Sequence, residues 1–64
     1  MMIDIIVLDY CTCEVRIYRN IIIKSEQTAE DWLEENDPDW NESQCYYMSC
    51  DAGQLTIKDK GVSK

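Results

Sequence analysis

Histidine and phenylalanine are absent from this chain, proline occurs once and glycine twice. Without histidine, the commonest general base and metal ligand is missing. With only Gly53 and Gly61 there is no glycine-rich loop to cradle a phosphate, and none of G-x-x-x-x-G-K-[ST], G-x-G-x-x-G or G-x-S-x-G occurs. No apolar run approaches the ~18 residues needed to cross a bilayer. The opening MMIDIIVLDY lacks a basic segment and carries Asp4 inside its apolar stretch, which argues against an export signal. The expectation is a cytoplasmic protein whose four cysteines stay reduced, with no membrane contact.

Positive charge is the other shortage. Between Lys24 and Lys58 there is neither Lys nor Arg, and that interval holds Glu26, Glu30, Asp31, Glu34, Glu35, Asp37, Asp39, Glu42 and Asp51. The net charge is −7 over 64 residues. Such a field repels nucleic acid and anionic lipid and attracts basic protein surfaces. Direct nucleic-acid binding is therefore not expected.

The chain has room for one domain, and a domain this small buries only about 60% of the surface its unfolded form exposes. Met2 to Leu8, short and rich in isoleucine, reads as a buried strand. Residues 9–12 read as a turn. Glu14 to Arg19 alternates, with Val15 and Ile17 on one side and Glu14, Arg16 and Tyr18 on the other. The two strands suggest a hairpin. Ile21, Ile22 and Ile23 either extend the second strand past Asn20 or pack on the following helix.

That helix is announced by SEQTAEDWLEEN. Thr28 with Asp31 three residues on forms an acidic variant of the capping box, and Ser25 is a second N-cap candidate. Ala29, Trp32, Leu33 and Asn36 share one face, Glu30, Asp31, Glu34 and Glu35 the other, and Pro38 stops the helix near Asn36. SQCYYMSC reads as a third strand, residues 51–53 as a turn, residues 54–58 as a fourth strand, and residues 59–64 as a frayed tail. The expected fold is α+β: a single ββαββ domain over residues 1–58, with a single-layer antiparallel sheet of order 2-1-3-4 and the helix on one face.

Cys11 and Cys13 raise the sharpest chemical question. A tetrahedral zinc site needs sulfurs roughly 3.8 Å apart. Residues i and i+2 of a strand lie about 6.6 Å apart, so this pair shares a metal only where the chain bends. Cys45 and Cys50 face opposite sides of a regular strand, and the 2-1-3-4 order separates the two pairs by about 10 Å. Neither pair has the C-x₂-C spacing of a zinc knuckle. The reading adopted is four small core side chains without metal or cofactor. A zinc-stapled domain on Cys11, Cys13, Cys45 and Cys50 is the first alternative, and a redox or disulfide role the second.

Catalysis is not expected, since nothing predicts a carboxylate with the shifted pKa that general acid–base work needs. The acid cluster is the feature with a functional slant. Glu30/Glu34 and Asp31/Glu35 are like-charge i,i+4 pairs, and Glu34 and Glu35 sit where the helix dipole disfavours them. A sequence selected for stability alone would place Lys or Arg at some of these positions. Acidic faces also serve solubility alone. The functional expectation is a protein-interaction module. It would present Glu30, Asp31, Glu34 and Glu35, extended by Asp37, Asp39 and Glu42, to a basic partner. An aromatic sheet face of Tyr18 with Tyr46 or Tyr47, Met48 and Trp40 would add to it. Its most specific form is an inhibitor that imitates nucleic-acid phosphates on a host protein. Small size and acidity are the habit of many phage and mobile-element accessory proteins, a likeness of composition and not of residues. A homodimer through uncovered faces or edges is a further reading.

Overall fold

The computed structural model describes residues 1–61. Strand β1 spans Met2–Asp9, β2 Glu14–Ile22 and β3 Cys45–Asp51, with helix α1 at Ala29–Asn36 between the last two. All pairings are antiparallel and the sheet order is β2-β1-β3. The domain is α+β, with one helix on one face of the sheet.

The central strand explains the architecture. Ile3, Ile5 and Val7 point to the helix side, where they meet Ala29, Leu33, Ile23 and Cys45 in the core. α1 buries only Ala29 and Leu33 fully; Trp32 packs at the edge, its ring 5.1 Å from Tyr18 in a T-shaped contact. The capping box forms as the residues require. Thr28 Oγ1 accepts from the Asp31 N–H at 3.1 Å, and the Asp31 carboxylate accepts from the Thr28 N–H at 3.1 Å. At the other end the Asp37 N–H donates to the Leu33 carbonyl.

Two expectations are corrected and one alternative is decided. The first is the orientation of β2. It alternates as read, but Arg16 and Tyr18 face the helix, while Val15 and Ile17 lie opposite Leu8 and Ile6 on the uncovered face. The reason is electrostatic: Asp9 and Asp37 are buried on the helix side and Arg16 is their cation. Of the two readings of the isoleucine run, the strand extends past Asn20. β2 continues through Ile22, but a bulge at Asn20, with φ 57, resets the facing, so that Ile21 packs on the core and Ile22 is exposed. Ile23 then turns in under the sheet, its N–H donating to the Met1 carbonyl.

The second correction is the fourth strand, which does not form; the order stops at 2-1-3. Beyond β3 the turn at residues 51–53, with Gly53 at φ 87, takes the chain across the uncovered face instead of along the edge of β3. Asp4 directs it. The carboxylate of this buried residue accepts from the Gly53 N–H at 3.0 Å and the Asn20 N–H at 2.9 Å, so one side chain holds both the bulge and the turn. Arg19 pairs with Asp4 at 3.6 Å and donates to the Leu55 carbonyl at 3.4 Å. Leu55 is buried outside the helix-side core, and residues 56–61 have no regular structure. Of the tail expected to fray, residues 62–64 lie outside the described residues.

Candidate protein-interaction site

The loop between α1 and β3 folds back beside the helix. Asp37 anchors it: Oδ1 accepts from the Asp39 N–H, and the Asp37 carbonyl accepts from the Trp40 N–H. Asn41 builds the next turn by accepting from the N–H and hydroxyl of Ser43. This return brings Glu42 against the helix. Carboxylate oxygens of Glu30, Glu34 and Glu42 then lie within 4.8 Å of one another, the one such convergence of acidic or cysteine ligand atoms among the described residues. Glu34 and Glu42 are exposed and Glu30 is half-buried.

Beside this triad lies an open cleft of about 550 Å³, reaching from Glu30 and Glu42 past Trp40 to the start of β3 at Cys45–Tyr47. Trp40 is partly buried on the core and meets Tyr47 edge-on at 5.8 Å. Its indole N–H is buried without a partner. A second hollow of about 460 Å³ lies along Asp31, Glu34 and Glu35 and the loop of Lys24 to Gln27. Three converging carboxylates beside an aromatic wall suit a cation. An ammonium or guanidinium gains both charge pairing and contact with the ring faces.

Both arginines are committed elsewhere. Arg16 Nη1 donates to Asp9 Oδ2 at 2.9 Å and to Glu14 Oε1 at 2.8 Å. Its Nε and Nη2 both donate to Asp37 Oδ2, at 3.1 and 3.0 Å. The Glu14 hydrogen bond, with those of Asp9 and Asp37, raises the Arg16 pKa against the opposing effect of burial. The Arg16 hydrogen bond holds the Asp9 carboxyl below its ordinary range, assisted by the N–H groups of Thr12 and Cys11. The Asn20 and Gly53 N–H groups do the same for Asp4, with Arg19 adding its charge. Burial, with the nearby Asp37 charge, raises the Tyr18 phenol. With Arg16 and Arg19 absorbed, four lysines face ten carboxylates other than the buried Asp4, Asp9 and Asp37.

The expected site residues therefore separate. Glu30, Asp31, Glu34 and Glu35 are on the outer side of α1, although Asp31 is held in the capping box and Glu35 accepts from Gln27 at 3.3 Å. Asp39, Trp40 and Glu42 are on the return loop. Asp37 is corrected: it is buried and ion-paired, not part of the surface. Tyr18 is corrected as well, since it faces the helix. Tyr46 does lie on the uncovered face, where its ring meets Tyr10 at 5.2 Å. An aromatic patch of Tyr18, Tyr46 and Trp40 is thus divided between two sides of the sheet.

The cysteines are corrected in part. Cys45 is a core residue, its Sγ 3.9 Å from Arg16 Nη2, and Cys50 is half-buried. Cys11 and Cys13 are exposed in the hairpin turn, and Cys13 takes φ 57. The four do not converge. Cys45 pairs opposite Asp9 and Cys50 opposite Asp4, which puts them roughly 17 Å apart along the strand and on opposite faces.

Sequence reasoning missed Asp4, Asp9 and Arg16. A signal was available: an aspartate inside an isoleucine-rich strand demands donors, and the bordering turns supply them. No helix among the described residues is long and apolar enough to cross a membrane. No family model, curated protein or solved structure matches this chain.

Proposed function

We propose that this protein is a cytoplasmic interaction module that works by binding rather than by catalysis, capturing a basic segment of a partner protein. The observation that carries the reading is the convergence of Glu30, Glu34 and Glu42 from two separate elements beside Trp40 and Tyr47. Like charges held this close are unfavourable for the isolated domain, and a partner's Lys or Arg relieves them. The uncompensated surface around the triad steers such a partner in, since the domain's arginines are taken up by Asp4, Asp9, Asp37 and Glu14. In its most specific form the module occupies the phosphate-binding surface of a nucleic-acid-binding host protein, the role of a phage or mobile-element inhibitor. It takes no metal or cofactor for this.

An arginine-rich peptide tests the site, with the part of the tryptophan emission that is lost in Trp40→Phe reporting on it. Binding should weaken as salt screens the charges, and Glu30→Lys/Glu34→Lys should reduce affinity at least about tenfold. The fold should persist, because both positions are on the outer side of the helix. Equal affinity of the parent and the charge-reversed variant would end the proposal.

A further inference from the structure

The sheet has a second face, opposite α1. Across the strands its first row is Val15, Leu8 and Tyr46, and its second is Ile17, Ile6 and Met48. Neither row contains a charged or hydrogen-bonding side chain apart from the tyrosine hydroxyl. Val15 is 56% exposed, Leu8 39%, Tyr46 65% and Met48 55%, while Ile6 and Ile17 between them are half-buried. The third row changes character: Arg19 and Asp4 neutralise each other there under the turn at Gly53. β1 is thus apolar on both sides, the pattern of a strand covered on both faces, yet the chain supplies a helix for only one.

We propose that a second copy of this chain covers this face, giving a twofold dimer with the two sheets back to back and the helices outside. Two observations favour a second copy over another partner. First, the face offers no charge to complement, so its match is another apolar sheet of equal size, which a twofold axis provides. Second, all the converging acids are on the other side. Sheets stack about 10 Å apart, so the acidic helices of the two copies end roughly 30 Å from each other, several times the ~8 Å screening length. A chain of net charge −7 has few ways to self-associate without charge repulsion, and this is one.

The dimer leaves the Glu30, Glu34 and Glu42 sites free and paired on opposite outer surfaces, so a basic partner with two sites is bound bivalently.

Sedimentation equilibrium of the whole chain tests the dimer. The wild type should have twice the monomer mass by about 10 μM, and its Tm should rise with concentration. Val15→Glu and Met48→Glu, each on an exposed position, should stay monomeric at ten times that concentration with an unchanged circular-dichroism spectrum. Glu30→Lys/Glu34→Lys should dimerise as the wild type does, which separates this proposal from the acidic site. A monomeric wild type overturns it. So does dissociation by Met48→Glu alone, since Val15 is on the strand farthest from β3 and such a result assigns the contact to the β3 edge.

Discussion

Arg16→Met is expected to abolish the cooperative unfolding transition of this domain at neutral pH. Among the described residues the guanidinium is the only cation paired with the Asp9 carboxylate, whose side chain is 4% exposed, and the Asp37 carboxylate, which is fully buried. Methionine fills much of the volume but leaves both carboxylates in the interior without a counter-charge. That is the costly way to break a buried ion pair, in contrast to replacing all its members. The two acids also hold structure: Asp9 pins the hairpin turn through the Cys11 and Thr12 N–H groups, and Asp37 starts the return loop through the Asp39 N–H. A domain of this size has only about 3–5 kcal/mol of stability to lose. Arg16→Lys should recover part of the loss, because a single ammonium cannot span Asp9 and Asp37 as the planar fork does. Urea titration followed by circular dichroism gives the result. A methionine variant that unfolds at the parent's midpoint would show that the network holds nothing together.

The second large effect is on acid stability. Asp4 and Asp9 both have folded-state pKa values below the ordinary 3.8. A carboxylate with a depressed folded pKa contributes stability that is fully present above its unfolded value and is lost as pH falls through its folded value. The domain should therefore hold its urea midpoint from pH 7 down to about pH 5 and lose it steeply below about pH 4. Asp4 contributes through the bulge and the Gly53 turn together. Asp4→Asn keeps one acceptor oxygen, orphans one of those N–H donors, and does not titrate. Its midpoint should be lower at neutral pH and its acid limb shallower. Parent stability at pH 3 equal to that at pH 6 would remove these two carboxylates from the account.

Local signals were legible in the sequence, and what long-range electrostatics decides was not. Thr28 and Asp31 define their helix start through contacts three residues apart, and Pro38 limits its end, so α1 needed nothing beyond its own segment. The isoleucines of β1 and the alternation of β2 were equally readable. The direction of that alternation was not. Hydrophobicity assigns Val15 and Ile17 to the core, but Arg16 answers to aspartates 7 and 21 residues away, and their burial is set by the packed fold. The missing fourth strand has the same origin: Leu55 and Ile57 carry a strand pattern, but Asp4, 49 residues before Gly53, captures the turn first. Among the candidate site residues, Glu30 and Glu34 follow from helical spacing alone. Their meeting with Glu42 depends on the course of the return loop.

The placement of β1 in the middle of the sheet also sets an order of assembly. It joins β2 across Tyr10–Cys13, four residues, whereas reaching β3 means closing the 35 residues from Tyr10 to Gln44. About three doublings of loop length separate the two closures, an entropic difference of about 2 kcal/mol. The hairpin therefore forms first, and the far edge of β1 waits unpaired until β3 arrives, with the Gly53 N–H closing on Asp4 after it. In stopped-flow refolding, Ile17→Val in the hairpin should slow the folding limb, while Cys45→Ala in β3 should chiefly accelerate unfolding. Equal slowing by both would contradict this order. The slow step of folding is then the docking of the last strand and its turn onto a preformed pair. The interval in which an apolar strand edge stands open is as long as that step takes.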